Sequence, residues 1–217
     1  MKYKEFAKKL DCIRIGNAKS LRRASKIRSS RGQVLVEFAF VLPLLVVLLL
    51  GVIEISYLLF NQHIVIRLTR EGSNLISRST TISDAATAMR SMVNPPVDFE
   101  SNNSRLIFTV LTKPSIGNNS DRVIVYQRYE IGDLAAESAL TTEGPLSSES
   151  FGPAPDYIAL DPKNDKDLRV TNVPANLTLS QDQYVYVTEV YSRYDWITPL
   201  HNFGISLPST LYSIAYF

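Results

Sequence analysis

Residues 32–72 read GQVLVEFAFVLPLLVVLLLGVIEISYLLFNQHIVIRLTREG, and the rest of the chain is organised around this stretch. From Phe38 to Ile53 it carries no charge, and after Glu54 the apolar character resumes as far as Phe60. A helix of about 20 apolar residues spans a bilayer core, so residues 34–60 are long enough to cross. A cleavable secretory signal would show a shorter apolar run of about 7–15 residues closed by small residues. Here the run is longer and passes into a helical pattern without such a break, so the segment is expected to be retained. Glu37 near its start and Glu54 inside it are costly in hydrocarbon unless paired or buried in protein. Pro43 removes one helical hydrogen bond and is expected to kink the helix, which membrane helices tolerate. Gly51 offers a place of close approach for another helix. Glu54 has two readings: a side chain reaching for the outer membrane face, or a polar contact between packed subunits.

Upstream of this stretch the chain is basic. Residues 1–31 hold eleven Lys/Arg against Glu5 and Asp11, a net of +9, whereas the remainder holds 12 basic and 19 acidic residues, a net of −7. Basic residues directly before an apolar helix set topology by staying cytoplasmic. A nucleic-acid-binding head would need reading motifs or interleaved aromatics, and neither accompanies the charge, so nucleic acid is not an expected partner. Cys12 is the only cysteine. The chain after it therefore relies on its own core or on assembly partners, and zinc-finger, redox-pair and iron–sulfur sites within the chain are excluded.

At the junction, Arg31-Gly32-Gln33-Val34-Leu35-Val36-Glu37 runs into Phe38. A basic leader, a glycine, four residues, a glutamate and an apolar helix resemble the type IV prepilin signal. The resemblance implies cleavage by an inner-membrane prepilin peptidase between Gly32 and Gln33, with Glu37 becoming the fifth residue of the mature chain. The new amine at Gln33 then needs a counter-charge within a helix bundle, and a carboxylate one helical turn along can meet it on a neighbouring subunit. Glu37 also has a plainer reading, since a carboxylate is favourable near any helix N-terminus.

The blocks VEFAFVLPLL, GVIEISYLLF and TREG together resemble the TadE-like pseudopilin family of tight-adherence (Tad) pilus systems. The resemblance spans residues 32–72 and carries Glu37, Pro43, Gly51, Glu54, Arg70, Glu71 and Gly72 as motif residues. It implies a minor pilin or pseudopilin that is held in the bacterial inner membrane with its N-terminus cytoplasmic, acts in pilus assembly and is able to enter the fibre. Its implied partners are the membrane, the prepilin peptidase, the major pilin, a sister pseudopilin and the inner-membrane assembly platform.

Downstream, Ile53, Tyr57, Phe60, Ile64, Leu68 and Leu75 mark an apolar stripe at mostly three-to-four spacing, which predicts a helix over 34–77. A second helix is predicted over 83–92, ending before Asn94-Pro95-Pro96. Strands are predicted over 105–112, 122–130, 183–194 and 207–217, the first two joined as a hairpin with a long loop. Residues 132–182 are the least regular part, rich in proline, with a helical turn or two over 134–140. They read either as a partner-contact lobe or as an unstructured surface excursion.

The expected architecture is α+β: a long N-terminal transmembrane and amphipathic helix packed on a small antiparallel sheet, pilin-like. Its expected parts are a basic leader (1–32), a membrane span (33–60), a continuation of the helix (61–93) and an extracytoplasmic domain (94–217).

No catalytic signature appears. His63 and His201 have no carboxylate or cysteine at metal-ligand spacing. Asp161, Asp165 and Asp167 lack the spacing and glycine of an EF-hand and read as a solvated turn. Tyr184, Tyr186, Tyr191 and Tyr194 read as sheet packing. Neither an enzyme nor a cofactor is expected. The alternative to a processed pseudopilin is an uncleaved single-span protein whose outer domain binds a ligand.

Overall fold

The structure is a computed structural model that describes residues 3–78, 80–175 and 177–217, with side chains from Gly32 onward. The side chains of the basic head, Cys12 among them, lie outside the described residues. The chain divides into two compact units, Met1–Ile53 and Glu54–Phe217. Helix α1 (Tyr3–Ser77) supplies the described part of the first and the opening of the second. The helix starts well before the predicted residue 34 and continues through Pro43 without a break.

In the second unit, α1 is followed by α2 (Ile82–Met92) and four strands: β1 (Ser104–Thr112), β2 (Ile124–Ile131), β3 (Tyr184–Arg193) and β4 (Thr210–Tyr216). They form one antiparallel sheet in the order β2-β1-β3-β4. β1 pairs Phe108 with both Tyr129 and Thr188, and a register shift between Val110 and Leu111 bends its pairing with β2. The α+β expectation holds, and β1, β2 and β3 fall within two residues of their predicted ends. β4 starts later than predicted, at Thr210, which leaves Pro208 outside the ladder where its missing N–H costs nothing.

α2 begins where Thr81 accepts a hydrogen bond from Asp84 N at 3.1 Å, a side-chain cap for an otherwise orphaned donor. Its buried residues Ile82, Ala85, Ala86 and Met89 repeat at three-to-four spacing and enter the main core. That core joins Val65, Leu68 and Ile76 of α1 to Leu106, Phe108 and Val110 of β1 and Val190 of β3.

The other face of the sheet is covered too. Leu111, Val125, Val185 and Val187 pack there with Leu140 and, less deeply, with Val170, Leu177 and Leu179. A strand covered on both sides needs apolar residues at every position, which is why 105–112 reads as a continuous apolar run rather than an alternation.

Residues 132–182 are therefore a third layer, not an unstructured excursion. Backbone bonds fix the layer along β2: Val125 N to Leu168 O (2.9 Å), Ala159 N to Tyr126 O (2.8 Å) and Val170 N to Val123 O (2.9 Å). Arg169 secures one end, donating from Nε to Asn119 Oδ1 and from Nη2 to Asn118 O, each at 2.8 Å. Residues 134–140 are not helical as predicted. Their backbone is instead drawn to the sheet, with Ala139 N donating to Glu189.

Candidate functional site

The candidate site is the apolar helix and the surfaces that continue from it. Over residues 32–53 the side chains are exposed or nearly so, including Val34, Leu35, Phe38, Phe40 and the leucines from Leu42 to Leu49. An all-round apolar helix is stable only inside protein or lipid. Residues Gly32–Ser77 form a helix long and apolar enough to cross a membrane, and its most apolar stretch is only 6% buried. Glu37 is exposed, and a Cβ added at Gly32 or Gly51 would meet nothing within 4 Å.

From Glu54 onward α1 belongs to the packed unit, and four of the six stripe residues face its core: Leu68 is buried, and Tyr57, Ile64 and Leu75 pack half-buried against it. The buried positions are Glu54, Asn61, Val65, Leu68, Thr69, Gly72, Ser73 and Ile76. Ile53 and Phe60 point outward. The stripe missed part of the buried face because the helix meets the sheet through small and polar residues as well as apolar ones. Gln62 donates to Tyr212 O and Ser73 to Ala215 O, both at 3.1 Å, so the helix also hydrogen-bonds strand β4.

Arg70-Glu71-Gly72 separates into three roles. Arg70 is exposed. Glu71 accepts from Arg67 Nε at 2.9 Å, a surface pair one helical turn apart. Gly72 is the point of closest approach to the sheet: a Cβ there would lie 2.8 Å from Thr188 Cγ2 and 3.2 Å from Phe108 Cε1. Gly72→Ala is expected to force the helix and β3 apart and to destabilise the unit by about 1–3 kcal/mol, against the gain that alanine normally brings to a helix. Urea unfolding of the full chain in detergent, followed by near-ultraviolet circular dichroism, measures it.

Glu54 departs from both of its sequence readings. It is only 1% exposed, and its carboxyl group is engaged within the chain. Tyr194 Oη donates to Oε1 at 2.5 Å, Thr198 N to Oε2 at 2.9 Å and Ile197 N to Oε1 at 3.4 Å. The Tyr57 and Tyr194 rings lie 6.1 Å apart beside it. Glu54 thus ties the start of the packed unit to the loop between β3 and β4. It neither reaches for the membrane surface nor presents a free carboxylate to another subunit. It also lies inside the stretch 33–60 expected to be membrane span, so the packed unit begins before that stretch ends. Burial, and next the bond to Glu54, push the Tyr194 phenol above its ordinary value, which keeps it a donor at neutral pH.

A second buried carboxyl group, Glu189 on β3, was not singled out from the sequence. It accepts from Ser138 Oγ, from Ala139 N at 2.8 Å, and from the phenols of Tyr191 at 3.2 Å and Tyr212 at 3.3 Å. Burial and then its charge push both phenols upward. One signal existed: Glu189 follows Val185 and Val187 on the same strand face, an apolar register interrupted by a carboxylate.

Neither the histidines nor the Asp161–Asp167 turn supplies a donor to either carboxyl group among the described residues. His63 is exposed, and His201 lies 5.8 Å from Trp196, ring to ring. Asp161 and Asp165 accept backbone bonds from Asn164 and Asp167 within their own turns. Among the described residues no group of three or more His, Cys, Asp or Glu could hold a metal ion. Tyr191 is buried in the sheet and Tyr186 half-buried against the main core, as the packing reading requires, whereas Tyr184 is exposed and Tyr194 lies beyond β3, bonded to Glu54.

Compared with known proteins, the chain has no matching curated relative and no matching solved structure. The model of one family, TadE-like protein, matches residues 32–74. The match begins at Gly32 and takes in Glu37, Pro43, Gly51, Glu54 and the Arg70-Glu71-Gly72 motif. Over this membrane-proximal helix, residues 32–74, the chain is similar to the TadE-like proteins.

Proposed function

We propose that the chain is a pseudopilin that a prepilin peptidase cuts between Gly32 and Gln33 and that then takes part in assembly of a Tad-type pilus from the inner membrane. The observation that carries this reading is the coincidence of two boundaries. The TadE-like match starts at Gly32, directly after the basic head, and the exposed apolar helix follows at once. Among the described residues the apolar side chains of that helix stand exposed, so they are available for lipid before assembly and for other helices after it. Its partners on this reading are the peptidase, the major pilin, a sister pseudopilin and the assembly platform. Glu37 supplies the counter-charge for the amine that cleavage creates at Gln33.

A second reading draws on a cavity of about 560 Å³ between β2 and the 132–182 layer, lined in part by Arg128, Glu130, Phe151 and Tyr157. It would make the protein an uncleaved, single-span anchored binding domain. Intact mass and terminal sequencing of the membrane-extracted chain, with and without a co-expressed matched peptidase, separate the two. The pseudopilin reading expects a start at Gln33, or its cyclised form, only when the peptidase is present. Retention of Met1–Gly32 beside an active peptidase would overturn it.

A further inference from the structure

We infer that the loop between β3 and β4 is a second membrane contact, seated in the interfacial layer of the bilayer. The inference rests on the reading that residues 34–53 cross the membrane. About 20 helical residues span the hydrocarbon core, and those residues supply that length, so the next residue, Glu54, falls at its edge. Glu54 is the residue that holds this loop, through Tyr194, Ile197 and Thr198. The loop is therefore fixed at the depth where the core gives way to headgroups.

Its composition suits that depth. Ile197 is 51% exposed, Phe203 70% and Ile205 45%, although each is free to be polar in a water-facing loop. Gly204 sits between the last two with φ +79°, a left-handed conformation that glycine adopts without strain, and it closes the short helical turn Pro199–Phe203. Trp196 lies within the same loop, 6.5 Å from the Tyr194 ring. Tryptophan and other aromatics with an apolar body and a polar edge concentrate at membrane interfaces. On α1 itself Leu59 and Phe60 are exposed just beyond Glu54. Both stretches of the packed unit thus present exposed apolar side chains, as contact with lipid requires and contact with water does not.

Trp196 is the only tryptophan in the chain, so it reports on the loop without labelling. The full-length protein is reconstituted into phosphatidylcholine/phosphatidylglycerol vesicles, washed at alkaline pH and floated, and its emission is quenched either by aqueous iodide or by lipids spin-labelled at shallow and deep acyl positions. Flotation after the wash reads the helix; quenching reads the loop. The expected result is floated protein whose Trp196 is quenched severalfold more by the shallow lipid label than by iodide, with the deep label weaker. In the double variant Phe203→Ser/Ile205→Ser the lipid quenching is expected to fall severalfold while near-ultraviolet circular dichroism and flotation stay unchanged. Floated protein with Trp196 open to iodide would overturn the loop contact and leave the anchoring helix intact. Protection from both quenchers would also overturn it, in favour of a protein partner at the loop. Protein that fails to float would remove the anchoring reading itself, and the loop contact with it.

Discussion

Glu189→Ala is expected to lower the stability of the Glu54–Phe217 unit by about 3 kcal/mol or more, since a carboxyl group serving several buried donors cannot be removed without leaving them unpaired. The four donors are Ser138 Oγ, Ala139 N, Tyr191 Oη and Tyr212 Oη, and the Tyr191 and Tyr212 rings lie 4.7 Å apart around the carboxylate. Tyr191 loses its acceptor inside the fold, Ser138, Ala139 and Tyr212 lose theirs nearer its surface, and the cavity left by the missing side chain adds to the cost. The loss has a location. Ser138 and Ala139 open the 132–182 layer, so the variant should release this layer before the sheet unfolds. Limited proteolysis is expected to cut within 132–182 at protease concentrations that leave the parent chain whole. Unfolding as tightly cooperative as the parent's, with no early cut, would show that the layer is held by its apolar contacts with Leu111, Val125 and Val187 alone.

Glu54→Ala is expected to cost about 2–4 kcal/mol by the same reasoning, with three donors left behind and one of them a phenol at 2.5 Å. Glu54→Gln should cost less, because one amide oxygen can still accept, yet it remains destabilising because the amide nitrogen faces donors. The two variants are compared by urea unfolding of the full chain in detergent. An alanine variant as stable as the parent would mean that the β3–β4 loop is held by the packing of Tyr57, Tyr194 and Leu200, and that Glu54 has a role outside the folded unit. A Glu54 engaged within its own chain fixes where the packed unit starts.

Much of this architecture is legible in the residues. The apolar helix declares itself by length and composition, and a span that long without charge has few other uses. The strands declare themselves because β-branched and aromatic residues cluster in β1 to β4 and turn formers separate them. Gly72 was visible as part of a motif, but its reason was not, since no local rule says that a sheet crosses the helix there.

What the sequence by itself determined is the set of elements and the unusual apolar surface of residues 34–53, because both depend on properties of neighbouring residues. What only the tertiary structure decided is which face of α1 is buried, what Glu54 and Glu189 are for, and that 132–182 is a layer of the fold. Those depend on partners far away in the chain: Glu54 meets Tyr194 and Thr198 across 140 and 144 positions, and Glu189 meets Ser138 across 51. A buried carboxylate is tolerated only when donors from elsewhere converge on it, and convergence of that kind is a property of the packed chain, not of any window along it.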